Sequence, residues 1–320
     1  MSDTTLARSE AIPVVLDPFG RPVRSMRVSV TQRCSLACDY CHKEGQAPAT
    51  EEMMPEEIRR IVGVAVSLGV RKVKITGGEP LMREDLAEIV EGISPMLSEV
   101  SLTTNGHGLD EAIGRLKRAG LKRINVSLHS LDPEVYGRLC GTDGVDSVVR
   151  GIESAVEAGL TPVKVNMVVI KGFNDREIPR MMDFCAKAGA ILQLIEYETS
   201  KEDSKDSRFK DRYFSLADTE RDLASRADSV AHNELHGRRR YTVRTSEGKV
   251  EVEFVRPMHN SEFCRNCTRI RLSSDGHLKP CLLDRTGELD ALGMLRKGAS
   301  DPDLRDLFLS AVAARRPYWS

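Results

Sequence analysis

From residue 26 to about residue 196, short β-rich runs alternate with longer helical patterns, and this alternation constrains the fold more than any other feature. Candidate strands fall at 26–30, 72–76, 100–104, 123–128, 162–170 and 192–197. Between them, residues 55–68, 85–93, 110–119, 145–158 and 175–188 carry apolar side chains at three- and four-residue spacing, as amphipathic helices do. Gly69, Gly120, Gly159 and Gly189 follow most of these helices, where a left-handed residue commonly ends the last turn. Six strands alternating with five helices predict an α/β fold with a parallel sheet and right-handed crossovers. Such units either wind doubly or curl into a barrel. In a barrel, the chemistry sits at the C-terminal ends of the strands.

The alternation then stops. Residues 201–212 hold nine charges in twelve positions and read as a solvated loop. Residues 241–244 and 249–255, separated by Ser246-Glu247-Gly248, predict a β-hairpin, and residues 303–314 a terminal helix. Lysine plus arginine is 47 against 48 for aspartate plus glutamate, so no global charge excess points to nucleic acid or a membrane surface. No apolar run approaches the ~18 residues of a membrane span. Residues 1–24 carry acids and prolines without an apolar core segment, so no secretory signal is expected and the cytoplasm is the expected location.

Eight cysteines are unevenly spread. Cys140 and Cys185 stand alone in helix-like stretches and read as small buried hydrophobes. The others form two triads, which suit two metal sites better than a disulfide framework. Cys34, Cys38 and Cys41 have the spacing C-x3-C-x2-C just after the first strand. Three thiolates on one tight loop can hold three corners of a [4Fe–4S] cube and leave the fourth iron open. Zinc completed by His42 is the alternative. The second strand ends in Thr76-Gly77-Gly78-Glu79-Pro80, where glycines admit a close ligand and Glu79 offers a carboxylate to an amine. The second triad, Cys264-x2-Cys267-x13-Cys281, reads as another cluster, or as zinc completed by His259 or His277. Arg269 and Arg271 alternate beside it, as on one face of a short strand, and offer a forked donor site.

A cysteine loop after strand one joined to that glycine turn after strand two resembles the radical S-adenosylmethionine superfamily. The resemblance implies a partial (β/α)6 TIM-like barrel with a small C-terminal β-rich domain for an auxiliary cluster. It divides the chain into an N-terminal extension (1–24), the partial barrel (25–230) and the C-terminal domain (231–320). The run Phe263-Cys264-Arg265-Asn266-Cys267-Thr268-Arg269-Ile270-Arg271-Leu272, with Asp275-Gly276 and Lys279-Pro280-Cys281, resembles the GTP 3′,8-cyclase family of molybdenum-cofactor biosynthesis. Gly20-Arg21-Pro22-Val23-Arg24, Thr103-Thr104-Asn105-Gly106, Asn125-Val126-Ser127-Leu128 and Lys164-Val165-Asn166 are similar to that family too.

That resemblance implies an enzyme that cyclises GTP to (8S)-3′,8-cyclo-7,8-dihydroguanosine 5′-triphosphate. Cys34, Cys38 and Cys41 would hold one [4Fe–4S] cluster, and Cys264, Cys267 and Cys281 a second. Tyr40, Gly78 and Ser127 would contact S-adenosylmethionine. Arg27, Lys74, Thr103, Lys164, Arg269 and Arg271 would bind GTP, with Arg27, Arg269 and Arg271 also taking part in catalysis. The implied partners are GTP, a separate electron donor and the next enzyme of the pathway, and a homodimer is allowed. Three features depart from the family. The chain ends Tyr318-Trp319-Ser320 where a Gly-Gly tail is common, Gln193 stands for an arginine, and Glu198 for a methionine. Rival readings are a peptide-modifying maturase with one auxiliary cluster and a non-enzymatic metal-binding protein.

Overall fold

Each of the six predicted strands is present to within one residue at either end, in a computed structural model that describes residues 14–233, 235–284 and 286–319. They are β1 (Ser25–Ser29), β2 (Lys72–Thr76), β3 (Glu99–Thr104), β4 (Arg123–Ser127), β5 (Val163–Val169) and β6 (Ile191–Glu196). The C-terminal third adds β7 (Ser229–Asn233), β8 (Arg238–Thr245), β9 (Gly248–Val255), β10 (Arg269–Leu272), β11 (His277–Lys279) and β12 (Leu289–Asp290). Among the described residues these form one sheet in the order β12-β11-β10-β1-β2-β3-β4-β5-β6-β9-β8-β7. Strands β1 to β6 pair in parallel with their sequence neighbours. At the two ends, β10 joins β1 and β9 joins β6, both in parallel, so the later strands extend the sheet on both sides.

The helices between the strands explain the parallel order, since each crossover needs a covering element. Pro55–Ser67 buries Ile58, Ile61, Val62 and Ala65 against the sheet, and each large side chain removed from water contributes about 1.5–3 kcal/mol. The five expected helices are all there, the last starting at Ile178 after a 3-10 turn at Asp175–Glu177. The sheet curls, because alternate residues of β1 to β6 turn inward on one cavity while their neighbours enter the core under the helices. This is the expected partial barrel.

Two expectations need correction. A helix at Pro133–Cys140 was not anticipated, although Asp132-Pro133 is a start signal. The Asp132 side chain accepts from the backbone N–H of Glu134 and Val135, and Pro133 occupies the first turn, where its missing N–H costs nothing. Residues 201–212 are not a free solvated loop. Ser207–Arg212 is a short helix that buries Phe209 between Tyr197 and Tyr213, with ring centroids 5.2 Å away on each side. Its outer face lays Arg208 and Arg212 on Asp39, next to Tyr40 of the first cysteine loop.

The hairpin is longer than expected, Arg238–Thr245 with Gly248–Val255. Of the N-terminal 24 residues, 1–13 lie outside the described residues. In the rest, Asp17 is buried between Arg21 at 2.7 Å and Arg315 at 3.0 Å, which ties the start of the fold to its end.

Candidate active site

Gly77 and Gly78 allow the first cysteine loop to exist. A Cβ on Gly77 would meet Thr31 O at 2.6 Å, and one on Gly78 would meet Arg33 O at 2.3 Å. The backbone N–H groups of Gly78 and Glu79 donate to Thr31 O and Arg33 O, each at 2.7 Å, and clamp the strand that leads into Cys34. Glu79 is spent in the same construction. Its carboxylate is buried, accepts from Thr104 Oγ1 (2.7 Å), Asn105 N (2.6 Å) and Leu81 N (2.9 Å), and stands behind the side chains that line the cavity.

Beyond the clamp, Cys34, Cys38 and Cys41 face one cavity of about 360 Å³, and Cys264, Cys267 and Cys281 line the same cavity. All six thiols are free. Backbone N–H groups point at the sulfurs: Leu36 N to Cys34 (3.4 Å), Lys43 N to Cys41 (3.3 Å) and Trp319 N to Cys264 (3.4 Å). Such donors stabilise thiolates, and hydrogen bonds to sulfur are a regular feature of iron–sulfur sites. The donor set therefore fits three-cysteine clusters.

A closed zinc site would need a fourth ligand beside a triad. His42 Nδ1 accepts from Glu44 N, His259 packs on the Trp319 ring, and His277 pairs with Asp275. Cys140 and Cys185 are buried as expected, yet Cys140 also hydrogen-bonds Cys38 and pulls that thiol down to about 7.

The cavity is rich in cations. Arg27 on β1 has Arg271 of β10 as its register partner on one side and Lys74 of β2 on the other. Like charges side by side on a sheet repel, so such a row needs anions. Glu44 supplies one. Its Oε1 takes Arg27 at 3.1 Å and Thr76 Oγ1 at 2.9 Å, while Oε2 takes Arg271 at 2.7 Å. Burial alone would raise the Glu44 carboxyl, but Arg27 and Arg271 outweigh it and hold it at about 2.

Further round, Lys74 donates to Asn125 Oδ1 at 2.6 Å, and Asn125 donates on to Asn166 and Gln193. Lys164 meets Glu253. Burial pushes Lys74 well below its usual range, and Arg123, Arg27, Lys164 and Arg269 push the same way. Arg269 is driven down likewise by burial and by Arg27 and Arg271. Arg27 Nε and Arg123 Nε are buried with no hydrogen-bond partner among the described residues. Buried donors and crowded cations are costly unless an anionic ligand completes them.

Every residue that the family resemblance assigns to the site lines this cavity: the six cysteines, Tyr40, Gly78 and Ser127, and Arg27, Lys74, Thr103, Lys164, Arg269 and Arg271; Glu79, His259 and His277 do not. Arg269 and Arg271 do share one face of a short strand. Sequence reasoning missed Glu44, whose signal was a lone acid three residues after Cys41, and Arg238, one of three consecutive arginines.

The C-terminal run also reaches the cavity. Trp319 is buried against Phe209 and Met258, its indole Nε1 has no hydrogen-bond partner among the described residues, and Arg315 Nη2 donates to Cys267 O at 2.6 Å.

Comparison with known proteins gives a consistent picture. Residues 28–185 match the family model of the Radical SAM superfamily, and residues 190–320 match Molybdenum Cofactor Synthesis C. A protein of Thermococcus kodakarensis described as a probable GTP 3′,8-cyclase is 49% identical, covering 96% of this chain and 100% of its own length. One of the same description from Methanosarcina mazei is 47% identical over 96% of this chain and 90% of its own. Among solved structures, Streptococcus suis SuiB bound to its precursor peptide SuiA superimposes with a TM-score of 0.64 at 17% identity, covering 94% of this chain and 67% of SuiB. At that identity the likeness shows the fold alone.

Proposed function

This chain belongs to the GTP 3′,8-cyclase family of the radical S-adenosylmethionine superfamily, and from that membership we infer that it cyclises GTP in the first step of molybdenum-cofactor biosynthesis. Near-half identity over the full length carries the reading, and one cavity shared by two cysteine triads and a ring of cations supports it. As a superfamily member it uses a [4Fe–4S] cluster and S-adenosylmethionine. When bound, these supply reductive cleavage of the sulfonium and the hydrogen-abstracting radical chemistry.

The residues take the following parts. Cys34, Cys38 and Cys41 hold the cluster on a loop clamped by Gly77 and Gly78. Tyr40, Gly78 and Ser127, which line the same cavity, contact S-adenosylmethionine. Cys264, Cys267 and Cys281 hold a second cluster, supported by the backbone donor at Cys264. Arg269 and Arg271 donate charge-assisted hydrogen bonds to the guanine beside that triad, and Arg27, Lys74, Thr103 and Lys164 bind the remainder of GTP. Holding C8 of the base toward C3′ of its own ribose is an orientation effect, and the barrel wall around the cavity limits water at the reacting carbons. A separate electron donor serves the first cluster, and the product passes to the next enzyme of the pathway.

The experiment is anaerobic reconstitution followed by incubation with reductant, S-adenosylmethionine and GTP. The expected products are 5′-deoxyadenosine and a cyclised guanosine nucleotide. Alanine at Cys34, Cys38 or Cys41 abolishes both. A variant that still cleaved S-adenosylmethionine at the wild-type rate would remove this loop from the assignment.

A further inference from the structure

Arg238 opens β8, the middle strand of the C-terminal hairpin sheet, far in sequence from the cations of the barrel. Its side chain is only 11% exposed and lines the same cavity as Lys74, Arg123, Lys164 and Gln193. Two contacts fix its direction. Nη1 lies 2.8 Å from Glu253 Oε1, and Nε donates to Leu235 O at 3.2 Å. These contacts are made by Nη1 and Nε, and Nη2 is the edge they leave to a ligand.

Glu253 organises this corner. It sits on β9 in register with Gln193 of β6, and its second oxygen takes Lys164. One buried carboxylate thus holds two cations of different strands side by side. Their combined charge exceeds that of the carboxylate, and Arg123 and Arg27 lie close enough to add to the positive field around Arg238. Gln193 itself brings no charge, and its amide oxygen is taken by Asn125 Nδ2. The cation at this point of the wall therefore comes from the hairpin rather than from the barrel strand.

We propose that Arg238, aimed by Glu253 and Leu235 and paired with Lys164, is a phosphate-binding residue that grips the polyphosphate end of the nucleotide. A guanidinium with a fixed stem and a free edge suits a phosphoryl group, for which its N–H geometry is matched. The assignment rests on the GTP reading and gives the nucleotide a direction, with its base toward Arg269 and Arg271 and its phosphates toward β5, β8 and β9. It makes the hairpin part of the binding wall.

The test is equilibrium binding of guanosine, GMP, GDP and GTP to the reconstituted holoenzyme, for wild type, Arg238→Ala, Arg238→Lys and Arg240→Ala. Arg240 lies on the same strand but pairs with Glu251 outside the cavity. In wild type, affinity rises with phosphate number and inorganic tripolyphosphate displaces GTP. In Arg238→Ala the GTP affinity falls at least tenfold, guanosine is unaffected, and tripolyphosphate competes correspondingly less well. Arg238→Lys, which keeps the charge beside Glu253 and the fold, gives an intermediate GTP affinity, whereas Arg240→Ala matches wild type. Equal weakening for guanosine and GTP in both Arg238 variants, or no change for GTP, would overturn the assignment. If wild-type holoenzyme bound guanosine and GTP alike, the substrate reading itself would fall, and the assignment with it.

Discussion

Glu44 Oε2 and the Arg271 guanidinium meet at 2.7 Å across 227 positions of sequence, and they join the first cysteine loop to the strand beside the second triad. The backbone bends sharply to allow it: Lys43, Glu44 and Gly45 follow one another at φ 47°, 52° and 62°. A Cβ on Gly45 would lie 2.1 Å from Leu282 O, so the turn sits directly on the residue after Cys281. Left-handed geometry at a non-glycine residue costs about 1–2 kcal/mol, which the paired charges must outweigh.

Glu44→Gln keeps the shape and removes the charge that bridges Arg27 and Arg271 and offsets their repulsion. The expected variant retains iron and still forms 5′-deoxyadenosine, while its ratio of cyclised guanosine to 5′-deoxyadenosine falls at least tenfold. A wild-type ratio would show that the arginines keep their places without the carboxylate.

Arg269 and Arg271 test the guanine end. Each charge-assisted hydrogen bond is worth ~1.5–3 kcal/mol, more if it forms only as the ring closes. Arg269→Ala and Arg271→Ala should therefore keep full iron and uncoupled S-adenosylmethionine cleavage but yield little cyclised product. An unchanged product ratio in the double variant points to another substrate.

The C-terminal run supports the second triad through two hydrogen bonds, Trp319 N to Cys264 Sγ and Arg315 Nη2 to Cys267 O. Deleting residues 315–320 should lower reconstituted iron from about eight to about four per chain, with 5′-deoxyadenosine still formed and cyclisation lost. Full iron in the deletion would return the segment to a passive role.

His129 gives a pH signature. Burial holds its imidazole at about 3, where Nδ1 accepts from Val168 N. The unfolded chain takes up this proton near pH 6.5, so between these values it binds more protons than the fold does. The stability that depends on the neutral ring is complete above pH 6.5 and declines as the pH falls below it, by about 1.4 kcal/mol at pH 5.5. His129→Gln, which keeps an acceptor for Val168, should lose correspondingly less between pH 7.5 and 5.5 in denaturant unfolding. Equal losses would mean that His129 protonates readily in the fold.

The barrel was legible because βα alternation repeats over a long stretch and each strand is short and apolar. The cysteine triads and the Arg269/Arg271 pair were legible because their spacing alone encodes proximity. Glu44 and Arg238 were not: Glu44 is defined by Arg271, 227 positions away, and Arg238 by a cavity whose other cations stand on the barrel strands, while nothing local separates Arg238 from Arg239 or Arg240. Residues 201–212 misled for the opposite reason. Their charges dominate the composition, while the burial of the single Phe209 decides the structure.

Strand β1 lies between β2 and β10, so Arg27 gains Arg271 as its neighbour only when residues near 270 are available. During synthesis, a chain that has emerged as far as β6 carries the first cysteine loop but lacks one wall of the cavity. It also lacks the arginine that shares Glu44 with Arg27. Closure of β10 onto β1 is a contact of very high sequence separation, and such contacts form late. The substrate site is therefore a product of finished translation, and a nascent or truncated chain carries the cysteines for radical chemistry without the place to direct it.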